Sequence, residues 1–156
     1  MKFLSKSVPD TAKIVVDFLQ KVQKYKNSQA VVVGLFGDLG SGKTTFTQAV
    51  GKYLGVKEII TSPTFVIEKI YLLKDIKKSH EEISEIFTFE RLIHIDAYRL
   101  ESGQELLNLD FEDLLADPKN LILIEWPERV MDALPPDLVK INFKFISESE
   151  REIDML

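Results

Sequence analysis

The stretch from Ala30 to Leu54 constrains the fold more than any other part of the chain. An apolar, β-branched run over Ala30–Phe36 lacks polar alternation, which is typical of a central parallel strand covered on both faces. The octapeptide GDLGSGKT follows directly, and apolar residues at helical spacing then continue to Leu54, with Gly55 placed to end the helix. A strand, a glycine-rich loop and a helix in this order predict a P-loop nucleotide-binding fold.

The residues of this glycine loop (Gly37–Thr44) suit a triphosphate. Glycines let the chain approach phosphates closely and turn consecutive backbone amides inward, and the following helix adds the positive end of its dipole. We predict that Lys43 reaches the β- and γ-phosphates of ATP as a catalytic cation and that the Thr44 hydroxyl holds Mg²⁺. The predicted nucleotide contacts are Gly37, Asp38, Leu39, Gly40, Ser41, Gly42, Lys43, Thr44, Thr45, Thr64 and Trp126.

Two further predicted strands each deliver an acidic residue to their carboxyl ends. The sequence LIHID ends at Asp96 and the sequence LILIE ends at Glu125, and open α/β sheets place their sites at these ends. A P-loop site needs a fixed carboxylate for the metal and the attacking water. Because only the second strand lacks a polar interruption, Glu125 is predicted to be the metal acid, and Asp96 to orient water or the water shell of the metal. The alternative is that each acid simply caps the next helix.

Three other features lie near these motifs. The segment TSPTF at 61–65 has the position of a nucleotide switch, with Thr64 sensing the γ-phosphate, although an ordinary proline turn explains it equally well. His94 has apolar neighbours and no second histidine at ligand spacing, so we interpret it as a hydrogen-bonded strand residue. Trp126 either begins a helix or lines the nucleotide pocket beside the metal acid.

The remaining segments complete a single α/β domain over residues 1–156. The order Ser7-Val8-Pro9-Asp10 predicts a helix start, and strands are expected from Phe65 to about Leu72, over Val139–Ile146 and over Ile153–Leu156. Short helices are expected from Ser102 and from Asp110, and another from Ser79 within a polar, inserted extension at about 73–90. We therefore expect a mixed, mostly parallel central sheet flanked by helices, with antiparallel strands at the carboxyl-terminal end.

Composition excludes several classes of function. The chain has no cysteine, which removes disulfides, thiolate catalysis and cysteine-based metal sites. No apolar run has the length of a signal peptide or a membrane span, so a cytoplasmic protein without membrane contact is expected. The formal net charge of -5, without basic residues interleaved with aromatic ones, argues against direct binding of nucleic acid.

Four motifs in one order resemble a known family: GDLGSGKTT at 37–45, SPTF at 62–65, HIDAYRL at 94–100 and EWPE at 125–128. Together they resemble the bacterial TsaE (YjeE) family over roughly residues 7–145. The resemblance implies a small ATPase of tRNA threonylcarbamoyladenosine biosynthesis that uses Mg²⁺ and works with two partners, TsaB and TsaD, on adenosine-37. By the same resemblance the SPT stretch is a switch, Asp96 and Glu125 are the acids of the ATPase site, and tRNA is met only through the partners. The stretch at 73–90 replaces the tight hairpin usual in that family.

Two alternatives to an accessory ATPase stay open from the residues alone. A small-molecule or nucleoside kinase shares the P-loop but usually carries an arginine-bearing lid, and the four arginines of this chain form no such cluster. A regulatory switch that signals to partners with little hydrolysis needs only nucleotide binding. A GTPase is disfavoured because no Asn-Lys-x-Asp guanine motif occurs.

Overall fold

A computed structural model of the chain describes residues 1–23, 28–73 and 88–155. The described helices and strands are, in chain order, β1 (Lys2–Ser5), α1 (Val8–Val22), β2 (Val31–Phe36), α2 (Lys43–Tyr53), β3 (Glu68–Leu72), β4 (Arg91–Asp96), α3 (Gly103–Leu107), α4 (Phe111–Ala116), β5 (Asn120–Glu125), β6 (Val139–Phe145) and β7 (Arg151–Met155). Two 3₁₀ turns, Pro127–Arg129 and Met131–Ala133, follow β5. No helix in the described ranges is long and apolar enough to cross a membrane.

The strands form one seven-stranded sheet in the order β1-β7-β6-β2-β5-β4-β3. The pairs β6·β2, β2·β5 and β5·β4 are parallel, whereas β3 and the strands β7 and β1 join antiparallel at the two edges. The predicted α/β class, with a mostly parallel centre and antiparallel carboxyl-terminal strands, is confirmed. The register of β4 on β5 sets Asp96 directly opposite Glu125, so both acids reach the same edge of the sheet.

Each face of the sheet carries its own apolar core. Successive side chains of β2 alternate between them, since Val33 belongs to one cluster and Val32 to the other. On the first face α1 and α2 pack together, with the rings of Phe18 and Phe46 edge to face at 5.3 Å. Such large buried rings each contribute roughly 1.5–3 kcal/mol through removal from water. This double covering explains why the β2 sequence is continuously apolar, and it anchors both ends of the glycine loop.

Helix α1 begins where the sequence predicts. The Asp10 amide donates to the Ser7 hydroxyl at 3.2 Å, and Pro9 lies in the first turn, where its missing N–H costs nothing. The apolar stripe of this helix is buried against the sheet. The short helices expected from Ser102 and Asp110 are also present as α3 and α4, so local capping signals predicted three helix starts correctly.

Three boundaries differ from the sequence prediction. Strand β3 begins at Glu68, not Phe65, because the amides of Val66 and Ile67 donate to the Pro63 carbonyl and close a turn there. Strand β7 begins at Arg151 and not at Ile153. Strand β1 was not predicted at all, since the strand that it pairs with, β7, is more than 140 residues away in the sequence. The helix expected from Ser79 falls outside the described residues.

Candidate functional site

The glycine loop connects β2 to α2 in a backbone conformation that requires glycine. Gly37, Gly40 and Gly42 have φ values of +141°, +75° and +106°, which residues with a side chain rarely adopt. A Cβ on Gly37 would also lie 2.4 Å from the Phe143 carbonyl oxygen, so β6 packs directly on the loop. The glycines therefore allow both the unusual turns and the close approach of a neighbouring strand.

Lys43 lies at the start of α2 and bends back across the glycine loop. Its Nζ donates to the carbonyl oxygens of Gly37 at 2.6 Å and Asp38 at 2.8 Å, and it lies 4.3 Å from the centre of the Trp126 ring. Burial lowers the pKa of Lys43, while Glu125, Glu128, Asp96 and Asp38 act in the opposite direction. A buried ammonium held by neutral carbonyls is a centre to which an anion would be strongly attracted.

Glu125, at the end of β5, joins two other polar side chains. The Thr44 hydroxyl donates to Glu125 Oε1 at 3.0 Å and lies 3.3 Å from Oε2, although 81 residues separate the two in sequence. The His94 Nε2 lies 2.9 Å from the same Oε1. Glu125 and His94 are both buried, which fixes the orientation of the carboxylate. The structure thus brings the two predicted metal ligands together, and His94 is a hydrogen-bonded strand residue as expected.

Asp96, at the end of β4, holds the predicted switch segment. Its Oδ2 accepts hydrogen bonds from the Ser62 hydroxyl at 2.5 Å and the Thr64 hydroxyl at 2.6 Å, and its Oδ1 accepts from the Tyr98 amide at 3.0 Å. The last contact closes a local turn and caps no helix, since the next helix, α3, has Ser102 as its N-cap. The two hydroxyl contacts are not local in sequence. The segment is thus both a proline turn and a direct neighbour of a strand-end acid. Ser62 itself was not among the predicted site residues.

One cavity of about 640 Å³ joins these groups. Its lining includes residues 39–45 of the loop and the start of α2, together with Thr64, Asp96, Glu125 and Trp126. Gly37 and Asp38, also predicted as nucleotide contacts, do not line it and instead supply the carbonyls that hold Lys43. Trp126 begins no α-helix: it has a φ of +58° and leads into a 3₁₀ turn, with its ring 5.2 Å from that of Tyr98.

Part of the cavity lining was not predicted from the sequence. Ser7, Val8 and Thr11 line the cavity from the start of α1, and Arg151 lines it from β7. The Arg151 Nε donates to the Gly40 carbonyl at 3.2 Å, so the last strand reaches the glycine loop. No local signal marks them as site residues, because they meet the loop through the pairing of β1 with β7, of β7 with β6 and of β6 with β2.

The donor set fits Mg²⁺ brought in with a nucleotide. Among the described residues no group of three or more His, Asp or Glu side chains forms a dedicated metal cage. Mg²⁺ beside phosphates usually keeps several waters and takes only one or two protein oxygens. The Thr44 hydroxyl and the Glu125 carboxylate, already 3.0 Å apart at the cavity wall, are oxygen donors of this kind.

A glycine loop joins the central parallel strand β2 to helix α2, and carboxylates lie at the carboxyl ends of β5, which pairs with β2, and of β4, the next strand in the sheet. The protein is therefore of the mixed α/β class, with a mostly parallel sheet flanked by helices and a group of polar side chains at one edge of it. The family model described as "Threonylcarbamoyl adenosine biosynthesis protein TsaE" matches residues 6–153. The chain belongs to the TsaE family, which takes part in tRNA threonylcarbamoyladenosine biosynthesis.

Individual relatives agree with this assignment. The Treponema pallidum tRNA threonylcarbamoyladenosine biosynthesis protein TsaE is 32% identical over 98% of both chains. The Streptomyces coelicolor and Bacillus subtilis proteins of the same name are 37% and 34% identical over 71% and 78% of this chain, and the match covers 66% of each of them. The crystal structure of Bacillus subtilis YdiB superposes with a TM-score of 0.66 at 25% identity, covering 99% of this chain and 83% of that one.

Proposed function

We propose that this protein binds and hydrolyses Mg-ATP to support N6-threonylcarbamoyladenosine modification of adenosine-37 in tRNA, together with TsaB and TsaD type proteins. The observation that carries the proposal is the convergence of Lys43, the Thr44 hydroxyl and the Glu125 carboxylate on one cavity. A cation for phosphate and an oxygen pair for Mg²⁺ lie side by side there. Membership of the TsaE family supplies the pathway.

The glycine loop binds the triphosphate. Residues 43–45 at the start of α2 line the cavity, and the helix dipole favours negative charge at this end. Phosphate oxygens replace the Gly37 and Asp38 carbonyls as acceptors for the Lys43 amine. Their negative charge opposes the effect of burial on the pKa of Lys43 and keeps the amine protonated.

Thr44 and Glu125 would hold the Mg²⁺ that enters with ATP, which supplies positive charge to the phosphate oxygens during transfer. Asp96 orients the attacking water. The water oxygen bonds to the γ-phosphorus, the bond from this phosphorus to the bridging oxygen breaks, and the electron pair leaves with ADP. The proton released from the water passes to the phosphate product or to solvent. Asp96 is suited to orienting a water because its carboxylate is held by Ser62, Thr64 and the Tyr98 amide and has no basic side-chain partner in the described chain.

The switch segment (Ser62–Phe65) links the site to partner proteins. Its hydroxyls hold Asp96, while the Phe65 side chain is 83% exposed on the outside of the same turn. A γ-phosphate that competes for the hydroxyls shifts this turn and changes the surface that partners meet. The formal charge of -5 leaves the tRNA contact to the partners, in the cytoplasm, where ATP and tRNA occur together.

A phosphate-release assay with Mg-ATP tests the proposal, run with and without purified TsaB, TsaD and tRNA. We expect hydrolysis that depends on Mg²⁺ and on Lys43, and repeated rounds of adenosine-37 modification only when this protein is present. A parallel assay with radiolabelled ATP and nucleosides checks the kinase alternative through phosphate transfer to an acceptor. Absence of hydrolysis under all conditions would contradict the ATPase proposal.

A nucleotide switch with little hydrolysis is the second candidate function. It is favoured by the hydrogen bonds that the Ser62 and Thr64 hydroxyls donate to Asp96. A switch requires the partner complex to favour one nucleotide state. Titration of labelled protein into the TsaB and TsaD complex, with a non-hydrolysable ATP analogue and with ADP, measures this preference. We expect different affinities in the two states and a smaller difference in Thr64→Ala. Equal affinities together with tight binding of the isolated protein to tRNA would overturn the partner model.

A further inference from the structure

Arg151 is a charged group in the cavity wall that the chemistry above does not use. It lies at the start of β7, 107 residues after Thr44, yet it lines the same cavity as the glycine loop. Its Nε donates to the Gly40 carbonyl at 3.2 Å, and a Cβ built on Gly42 would lie 3.6 Å from its Cγ. The side chain therefore packs against the glycine loop that is expected to bind phosphates.

The guanidinium of Arg151 is held in place but its charge is not neutralised. Its Nη1 donates to the carbonyls of Ser147, Glu148 and Glu150 in the turn between β6 and β7, and its guanidinium lies 4.4 Å from the centre of the Phe145 ring. All of these acceptors are neutral. Within the described parts of the chain no carboxylate lies within ion-pair distance of Arg151, and no hydrogen bond from its Nη2 is present.

The other cations of the cavity wall are differently placed. Lys6 forms an ion pair with Glu150 at 3.5 Å, and Lys43 is held by carbonyls at the start of the loop. A triphosphate carries more negative charge than Lys43 alone can balance. An arginine with free N–H donors and an uncompensated charge, fixed beside the loop, is suited to bind phosphate oxygens.

We propose that Arg151 is a second phosphate-binding cation of this site, supplied by strand β7 to the cavity that Lys43 also lines. It recognises the polyphosphate and not the nucleoside, and it binds through charge, so that the same contact is made to ATP, ADP and inorganic tripolyphosphate. This inference rests on the proposed nucleotide site, but it does not require hydrolysis.

The test compares Arg151→Gln, which keeps N–H donors without charge, with Arg151→Lys, which keeps charge without the planar donor fork. Affinities for Mg-ATP, Mg-tripolyphosphate and adenosine are measured by isothermal titration calorimetry at fixed salt. Arg91→Gln serves as the matched control, because it removes the same charge at the start of β4, away from the cavity. Circular dichroism melting of each variant shows whether the fold is retained.

We expect Arg151→Gln to weaken both polyphosphates by on the order of 10- to 100-fold, as for loss of a charge-assisted hydrogen bond. On a logarithmic scale, the loss of polyphosphate affinity in Arg151→Lys should be less than about a third of the loss in Arg151→Gln. Adenosine binding should not change in either variant. Equal losses in the Gln and Lys variants would overturn the proposal in favour of a purely structural hold on the loop, as would equal loss of adenosine binding. Wild-type protein that binds tripolyphosphate through Arg151 but never hydrolyses ATP would contradict the ATPase proposal and leave this inference intact.

Discussion

The carboxylates near the two ends of the parallel strands β4 and β5 have different kinds of partner. At the amino-terminal end, Asp117 forms an ion pair with Arg91, and Glu90 forms one with Lys119 at 2.9 Å. At the carboxyl-terminal end, the hydrogen-bond partners of Asp96 and Glu125 in the described chain are hydroxyls, a backbone amide and His94. No arginine or lysine there lies within ion-pair distance of either acid among the described residues.

This difference separates charges that stabilise from charges that are available for chemistry. An acid paired with an arginine is already neutralised and adds little stability at an exposed position. An acid held by hydroxyls has no paired cation, and its oxygens can interact with a cation or water that enters the cavity. Burying an acid in this way lowers the free energy of unfolding, and a cation or water that binds to the acid offsets this loss. The predictions below test this contrast, from the largest expected effect to the smallest.

Loss of the buried lysine should have the largest effect. Lys43→Ala removes the ammonium that is held over the glycine loop, and we expect ATP hydrolysis to fall by on the order of a hundred- to a thousand-fold, because preorganised charge is lost. Phosphate release under saturating Mg-ATP measures this. Lys52→Ala, in the last turn of the same helix, is the matched control and should keep full activity. A decrease of less than about threefold in Lys43→Ala would show that the amine is not catalytic.

The two strand-end acids should differ in kind. Glu125→Ala removes the carboxylate beside the Thr44 hydroxyl and should raise the Mg²⁺ concentration required for nucleotide binding. Asp96→Asn keeps an oxygen acceptor and should slow hydrolysis by on the order of a hundredfold while nucleotide affinity stays close to wild type. Mg²⁺ titrations of binding and single-turnover hydrolysis separate the two effects. Equal loss of Mg-ATP binding in both variants would refute this division of roles.

His94 should affect the site through Glu125 alone. His94→Leu removes the hydrogen bond that fixes Glu125 Oε1, and loss of a side chain that orients a metal ligand typically costs about 10- to 100-fold in metal affinity. We expect a higher Mg²⁺ requirement for nucleotide binding, with partial recovery in His94→Gln, which retains a donor. Thermal melting controls for packing, since His94 is fully buried. The interpretation is wrong if both variants lose stability equally and their Mg²⁺ requirement is unchanged.

The smallest effect should come from the other end of the strands. Asp117→Asn leaves the Arg91 guanidinium without its carboxylate but touches nothing in the cavity, so nucleotide binding should not change. The Lys119 amide, followed by the Arg91 side chain, lowers the pKa of Asp117 below its ordinary value of 3.8. A lowered folded-state pKa adds stability above pH 3.8, and this stability is lost as the pH falls through the folded value.

Chemical denaturation at pH 7 and at low pH measures this small contribution. At pH 7 the wild type should be more stable than Asp117→Asn by less than about 1 kcal/mol, because the pair is partly exposed to water. The difference should vanish once the pH lies below the folded pKa. A variant that changed nucleotide affinity instead would break the contrast between the two ends of the strands.

The two predicted acids show how much of the site local sequence patterns can predict. Each strand-end acid could be predicted because a buried strand is mostly apolar and an acid that ends it marks the edge of the sheet. Their proximity followed from the class of fold, and the register of Asp96 opposite Glu125 agrees with it. The start of β3 was misplaced because strand propensity over Phe65–Ile67 is overridden by the Pro63 turn, in which Ile67 takes a φ of +66°.

The sequence by itself determined the glycine loop, the helix caps, the central apolar strands and the two acids, since each depends on interactions between residues close in the chain. Only the tertiary structure decided that His94 supports Glu125, that Ser62 reaches Asp96, and that Arg151 joins the wall of the cavity. These contacts depend on which strands become neighbours in the sheet. Strand pairing is fixed by the combined packing of both apolar cores, and no single segment of the chain encodes it.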